Sequence, residues 1–233
     1  LPVTLETRLL NAHAISTHIA GEAVWLLPQK ALFWPAQRML LVADVHFGKA
    51  AAYRALGQPV PHGTTQANLA RLDEMLAVLA EDVDTLVFLG DFLHAKSSRH
   101  PEVLGALETW RARWPALRLV LVRGNHDVRA GDPPQNLRVT VVSEPWIVGP
   151  LGLCHEPDVA LPGGIYGLCG HVHPAVTLRG GARERMRLAC FWMGEHGGIL
   201  PAFGEFTGSW TMPAHARARV WVVGGGRVFA VGG

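Results

Sequence analysis

Five apolar runs in this chain of 233 residues each end in a short polar cluster built from Asp, His and Asn. That recurrence limits the fold more than any other feature. Met39–Ala43 runs into Asp44-Val45-His46, Thr85–Leu89 into Gly90-Asp91-Phe92-Leu93-His94, and Leu119–Val122 into Arg123-Gly124-Asn125-His126-Asp127. Leu151–Cys154 ends at His155, and Ile165–Cys169 ends at Gly170-His171-Val172-His173. Short continuous apolar runs bounded by turn residues read as strands buried on both faces. Polar residues gathered at the carboxyl ends of such strands lie where open α/β sheets place their ligand sites.

The segments between the runs set the connections. Thr64 to about Ala80 reads as a helix: Leu69, Leu72, Leu76 and Leu79 share one face, and Thr64 or Thr65 can cap its start. A second helix begins near Pro101 and buries Val103, Leu107 and Trp110. The first half is therefore strand, helix, strand, helix, strand, the pattern of a parallel sheet with helices on its faces. Ahead of it, Ala23–Leu27 and Ala31–Trp34 flank a turn at Pro28-Gln29-Lys30 and read as a short β unit. The second half is mostly β. Arg138–Val142, Met186–Cys190 and Arg219–Val223 are short strands punctuated by Gly and Pro, and Gly224-Gly225-Gly226 is a closing turn before Arg227-Val228-Phe229. With no repeat or long linker, the chain reads as one domain spanning residues 1–233.

Composition narrows the class. Hydrophobic residues make up 49% of the chain, which suits a packed core and argues against disorder. No run is long enough to span a membrane, and the N-terminal stretch lacks the basic-then-apolar layout of a secretory signal. The three cysteines, Cys154, Cys169 and Cys190, show no CxxC spacing, so a disulfide scaffold is not expected and a reducing cytoplasm is. A net charge of +2 is too small to argue for nucleic-acid binding.

Twelve histidines are a large number for this length, and their positions decide their meaning. Carboxylates and neutral imidazoles suit borderline divalent metals such as Mn²⁺, Fe²⁺ or Zn²⁺. Asp44 and His46 are two residues apart, so in extended backbone both side chains point the same way. His171 and His173 share that spacing and the same reading, although a turn there can direct them to different ions. Asp91, on the central strand, has two oxygens and can bridge two ions. Two ions about 3.5–4 Å apart bind a phosphoryl group, generate a hydroxide and stabilise an in-line displacement. Gly90, Gly124 and Gly170 let the backbone turn beside these residues. His13, His18, His62, His100, His196 and His215 fill no such position and read as solvated or hydrogen-bonded.

The five clusters resemble the calcineurin-like metallophosphoesterase superfamily, whose pattern runs D-x-H, GD, GNH[DE], H and GHxH. The resemblance covers roughly residues 39–178 and implies an α/β sandwich of two mixed β-sheets flanked by helices. It implies one metal on Asp44, His46, Asp91 and His173, and another on Asp91, Asn125, His155 and His171. It also implies that a metal-activated hydroxide attacks phosphorus while His126 protonates the leaving oxygen, with Asp127 orienting the ring of His126 or raising its pKa.

A narrower resemblance lies in Ala43–Ala50, Tyr53-Arg54, Gly57, Pro59-Val60-Pro61, Gly63-Thr64-Thr65 and the tail Pro201–Gly208. These are similar to the ligase-associated DNA damage response endonuclease family, PdeM. The resemblance implies a Mn²⁺-dependent phosphodiesterase acting on DNA, on single strands in repair, in functional association with an ATP-dependent DNA ligase, a helicase and an exonuclease. The alternative is a small-molecule phosphomonoesterase or cyclic-nucleotide phosphodiesterase using the same metals. For DNA, Lys49, Arg54, Arg123 and His94 are the candidate substrate contacts, and Arg179, Arg183, Arg185 and Arg187 are further cations beyond His173. Trp192 and Trp210 read as core or sheet-face residues.

Overall fold

Alternate side chains of the central strands fall into two separate apolar layers, and this fixes how the molecule stacks. The computed structural model describes residues 3–181, 185–213 and 217–231. The chain opens with helix α1 (Leu5–Asn11) and strands β1 (Ile15–Ile19), β2 (Glu22–Leu27), β3 (Ala31–Trp34) and β4 (Met39–Ala43). Helices α2 (Lys49–Ala55) and α3 (Thr64–Leu79) lead to β5 (Thr85–Leu89), α4 (Pro101–Arg113), β6 (Arg118–Val122) and α5 (Asn125–Ala130). The rest is β: β7 (Val139–Val142), β8 (Trp146–Val148), β9 (Leu151–Leu153), β10 (Tyr166–Cys169) and β11 (Pro174–Arg179). It closes with β12 (Arg185–Met193), β13 (Gly197–Ile199), β14 (Trp210–Thr211), β15 (Arg219–Gly224) and β16 (Arg227–Val231).

Strands β1 to β7 pair in sequence order. The pairs from β1 to β4 are antiparallel and those from β4 to β7 parallel. The second sheet runs β14-β11-β12-β13-β10-β9-β8, with β15 joined to β12 and β16 to β15. Its β9–β10 and β10–β13 pairs are parallel, while β11–β12 is an antiparallel hairpin. Two mixed sheets flanked by helices are the architecture expected from the sequence.

Leu40, Val42, Leu86, Phe88, Leu119 and Leu121 face the helices and pack with Leu69, Leu72, Leu76, Val103, Leu107 and Trp110. The intervening Leu41, Val87, Leu89, Val120 and Val122 face the second sheet and meet Leu151, Leu153, Leu168, Phe191 and Met193. This is why β4 is apolar throughout, and β5 and β6 are apolar from their second residues to their ends. Each fully buried Leu or Val contributes roughly 1.5–3 kcal/mol, so both layers hold the strand ends firmly.

Some elements were not legible in the sequence. Helices α1, α2 and α5 and strands β1, β8, β11, β13 and β14 are additional to the expected set. The cap of α3 also differs: Gly63, in a left-handed conformation, is the N-cap. Thr65 instead accepts a hydrogen bond from the Gly48 backbone N–H at 3.3 Å, tying α3 to the loop after β4. No described helix is long and apolar enough to cross a membrane.

Candidate metal centre

The loops after β4, β5, β6, β9 and β10 converge, and those after β4, β5 and β10 do so in left-handed backbone. The φ angles are 52° at Asp44, 45° at His46, 52° at Asp91, 68° at His171 and 53° at His173. Each such residue costs on the order of 1–3 kcal/mol and persists only where surrounding structure holds it. That structure is visible. The His46 N–H donates to the Asp91 carbonyl and the Phe47 N–H to the Phe92 carbonyl, both at 2.9 Å. Asn68, from α3, donates to the Val45 carbonyl at 3.3 Å. The Phe203 and Gly204 N–H groups donate to the carbonyls of Ala43 and Asp44 at 2.8 and 3.1 Å. The tail segment around Pro201–Gly208 thus braces the first ligand loop. The expectation that Asp44 and His46 align through extended backbone is corrected. Both residues are left-handed, and a turn brings them together.

Asp44, His46, Asp91 and His155 are buried, with exposures of 0%, 4%, 2% and 0%. Buried carboxylates need a counter-charge. The two oxygens of Asp91 face opposite ways: Oδ2 lies 3.6 Å from His46 Nε2, and Oδ1 lies 3.5 Å from His155 Nε2. On the first side, Asp44, His46 and His173 place one ligand atom each within 4.8 Å of one another, and on the second side Asp44, Asp91 and His155 do the same. His155 Nε2 is also 3.0 Å from Asn125 Oδ1 and 3.0 Å from His171 Nδ1. His171 and His173 therefore go to different sides.

Both ring nitrogens of His46 are buried without a hydrogen-bond partner. An orphaned imidazole facing a carboxylate is what a metal site looks like to the protein alone, and the donor set fits the chemistry of divalent cations. Tautomers agree. His155 Nδ1 is 3.2 Å from the Leu89 carbonyl and His173 Nδ1 is 3.0 Å from the Gly208 carbonyl. With each Nδ1–H donating to its carbonyl, each Nε2 carries a lone pair turned inward. Burial drives the pKa of His46 far down, with Lys49 adding to the effect, so this ring stays neutral. These clustered side chains form at least one divalent-metal-binding site.

Asp127 behaves differently from the expectation. Its carboxylate does not meet the His126 ring. It accepts the backbone N–H groups of Asp91 and Gly124 on Oδ2 at 2.8 and 2.9 Å and that of Phe92 on Oδ1 at 2.9 Å. It therefore ties the β6 loop to the β5 loop. Burial, foremost, raises its pKa to about 6. The His126 ring is held instead by the His94 carbonyl, 2.9 Å from Nδ1. Two glycines also act otherwise than expected. Gly90 does turn with positive φ, but a Cβ on Gly124 would meet Asp91 Oδ1 at 2.7 Å, and one on Gly170 would meet Asp44 Oδ2 at 2.8 Å. Those two are glycine because carboxylates press against their backbone.

His94 reaches the centre. Its ring stacks on His126 at 5.2 Å between centroids and lies edge-on to His46 at 5.3 Å. With these two it forms a third cluster of closely spaced imidazoles. Burial, with Lys49 and His126, lowers its pKa to about 4. Lys49, at the start of α2, is half-buried near Asp91 and Asp44; burial lowers its pKa while those carboxylates oppose the shift. Arg54 and Arg123 each have a partner elsewhere in the chain. Arg54 donates to the Pro61 carbonyl at 2.8 Å, and Arg123 is held by both oxygens of Asp132 at 2.6 and 2.8 Å. Arg183 and His215 lie outside the described residues. Sequence reasoning missed Glu144, whose Oε2 accepts the N–H groups of His155 and Glu156 at 2.7 and 3.0 Å. No local signal marks it, since it sits in the loop between β7 and β8, eleven residues before His155.

Two mixed sheets beneath helices, with buried carboxylates and imidazoles at converging strand ends, define a metal-dependent phosphoesterase. The chain belongs to the calcineurin-like phosphoesterase family, whose profile matches residues 37–188. It is similar to a solved Pseudomonas putida nuclease, MPE, with 46% identity over 94% of this chain and 100% of that one, at a TM-score of 0.81. It also bears a slight likeness to a protein of unknown function, AQ665 from Aquifex aeolicus. That pair is 21% identical over 58% of this chain and 78% of the other, at a TM-score of 0.37. No curated protein matches.

Proposed function

We propose that the centre holds two divalent ions, Mn²⁺ in the cell, and hydrolyses phosphodiester bonds of DNA as an endonuclease acting in repair. The observation that carries the two-ion reading is the split of Asp91, whose oxygens face His46 on one side and His155 on the other. In this reading Asp44, His46, Asp91 and His173 hold one ion, and Asp91, Asn125, His155 and His171 hold the second. When bound, the pair supplies Lewis acidity at the phosphoryl oxygens and a nucleophile at neutral pH.

The chain's own contribution is orientation and a proton. With His126 Nδ1–H held by the His94 carbonyl, Nε2 is the nitrogen left to give a proton to the leaving oxygen. Asp127 serves as a positioning residue through the backbone it holds. DNA as the substrate is supported by the 46% identity to a nuclease and by the similarity of residues 43–65 and 201–208 to the PdeM family. A single strand in a cytoplasmic repair setting, served by the ligase, helicase and exonuclease of that family's setting, completes the reading.

The test is metal-stripped protein reconstituted with Mn²⁺, Zn²⁺, Mg²⁺ or Fe²⁺. Each form is assayed on a 4-nitrophenyl phosphomonoester, bis(4-nitrophenyl) phosphate and a single-stranded oligonucleotide. Internal cleavage of the oligonucleotide with Mn²⁺ is the expected result. A monoester preferred by orders of magnitude over both diesters overturns the reading in favour of a small-molecule phosphatase.

A further inference from the structure

A cavity of about 210 Å³ opens beside His173 and is lined by Lys30, Ala175, Arg187, Ala189 and Ser209 among others. His173 belongs both to this cavity and to the candidate metal cluster with Asp44 and His46. Lys30 comes from the β2–β3 turn, a part of the chain with no share in the ligand pattern. Among the described residues its ammonium makes no hydrogen bond or ion pair, while the nearby Glu205 pairs with Arg71 at 2.9 Å. Burial, foremost, and Arg71 lower the Lys30 pKa while the Glu205 carboxylate opposes the shift, so an anion in the cavity would meet a poorly solvated cation.

The hairpin β11–β12 carries the charge outward from there. Ala175 pairs with Ala189, Thr177 with Arg187 and Arg179 with Arg185. Residues two apart on a strand share a face, so the cavity alanines, then Arg187, then Arg179 with Arg185, lie along one side of the hairpin. The three arginines are exposed. Arg187 is fixed by donating to the Ser209 carbonyl. From the alanine pair to the outermost arginine pair is four residues on each strand, or roughly 13 Å. No acidic side chain stands opposite these positions on the described register.

We infer that Lys30, Arg187, Arg185 and Arg179 form a track for the phosphate backbone of a single strand, leading away from the metal centre past His173. This rests on the nuclease reading and adds the path the strand takes to one side of the cleaved bond. The occupant is a flexible polyanion with regularly spaced charges. A compact phosphomonoester uses none of the outer arginines.

The experiment compares Mn²⁺-loaded wild-type protein with Lys30→Met and with the double variant Arg179→Ala/Arg185→Ala. Substrates are a single-stranded oligonucleotide and bis(4-nitrophenyl) phosphate. In each variant the ratio of kcat/KM for the oligonucleotide to that for the small diester is expected to fall about ten-fold or more. The slope of log kcat/KM against log salt should become shallower by about 0.7 for each cation removed. The exposed double variant keeps the test decisive should Lys30→Met fold poorly. Oligonucleotide cleavage by the wild type, with ratio and slope in the double variant within two-fold of it, overturns the track alone. Wild-type turnover of the small diester with no oligonucleotide cleavage overturns the nuclease reading as well.

Discussion

Asp127 accepts the backbone N–H of Asp91 at 2.8 Å, so the residue beside the proposed acid secures the carboxylate at the middle of the metal centre. The same carboxylate holds Gly124 and Phe92, and three amide donors converge on one buried side chain. Asp127→Asn replaces one acceptor oxygen with a donor that faces an N–H. The variant is expected to fold, to bind Mn²⁺ about 10–100-fold more weakly, and to recover much of its rate at saturating metal. Titration of activity against free Mn²⁺ reads this directly. An unaltered metal requirement with a lower rate would instead place Asp127 in the proton-transfer step.

Asp91 separates a bridged pair from two independent sites. Asp91→Asn removes the charge shared between the sides facing His46 and His155. Bound metal, measured by elemental analysis after gel filtration, is expected to fall from about two ions per chain to one or fewer, with loss of nearly all activity. Retention of two ions would show that Asp91 does not bridge.

The role of His126 is visible in the leaving group. 4-Nitrophenolate departs without protonation, whereas an alkoxide needs a proton. His126→Gln is expected to lower the rate with an alkyl leaving group by about 10²–10⁴-fold and that with 4-nitrophenolate far less. Metal content should match the wild type. Equal losses on both substrates would fit a positioning role instead.

Acid should loosen the metal-free protein in a defined window. The pKa of His94 is lowered from 6.5 to about 4, mainly by burial. The unfolded chain therefore takes up a proton that the folded ring refuses. Stability present above pH 6.5 is lost as pH falls toward about 4. His94→Gln should lose less across that interval. Urea midpoints of the metal-free proteins at pH 7.5, 6 and 5 test this, and parallel pH dependence in the two proteins would exclude His94 as the source.

Local chemistry explains what could be read early. A buried parallel strand must be apolar on both faces, so Leu86–Leu89 and Leu119–Val122 announce themselves, and the first polar residues after them mark the site. Conformation at those residues was not readable. Left-handed backbone at Asp44 and His46 follows from bonds to residues far along the chain, such as Gly204 to the Asp44 carbonyl. Arg54 and Arg123 adjoin motifs, but their partners, the Pro61 carbonyl and Asp132, could not be read from the sequence. Lys30 looked like a turn residue because nothing nearby in sequence reveals the cavity it lines.

The sequence by itself determined the ligand types, their order and their placement at strand ends, because apolar continuity and side-chain chemistry are written residue by residue. Only the tertiary structure decided which oxygen of Asp91 faces which imidazole, what Asp127 holds, and that Lys30 and Arg187 line one cavity with His173. Those relations depend on distances between segments remote in the chain, which are set by the stacking of two sheets and not by any local pattern.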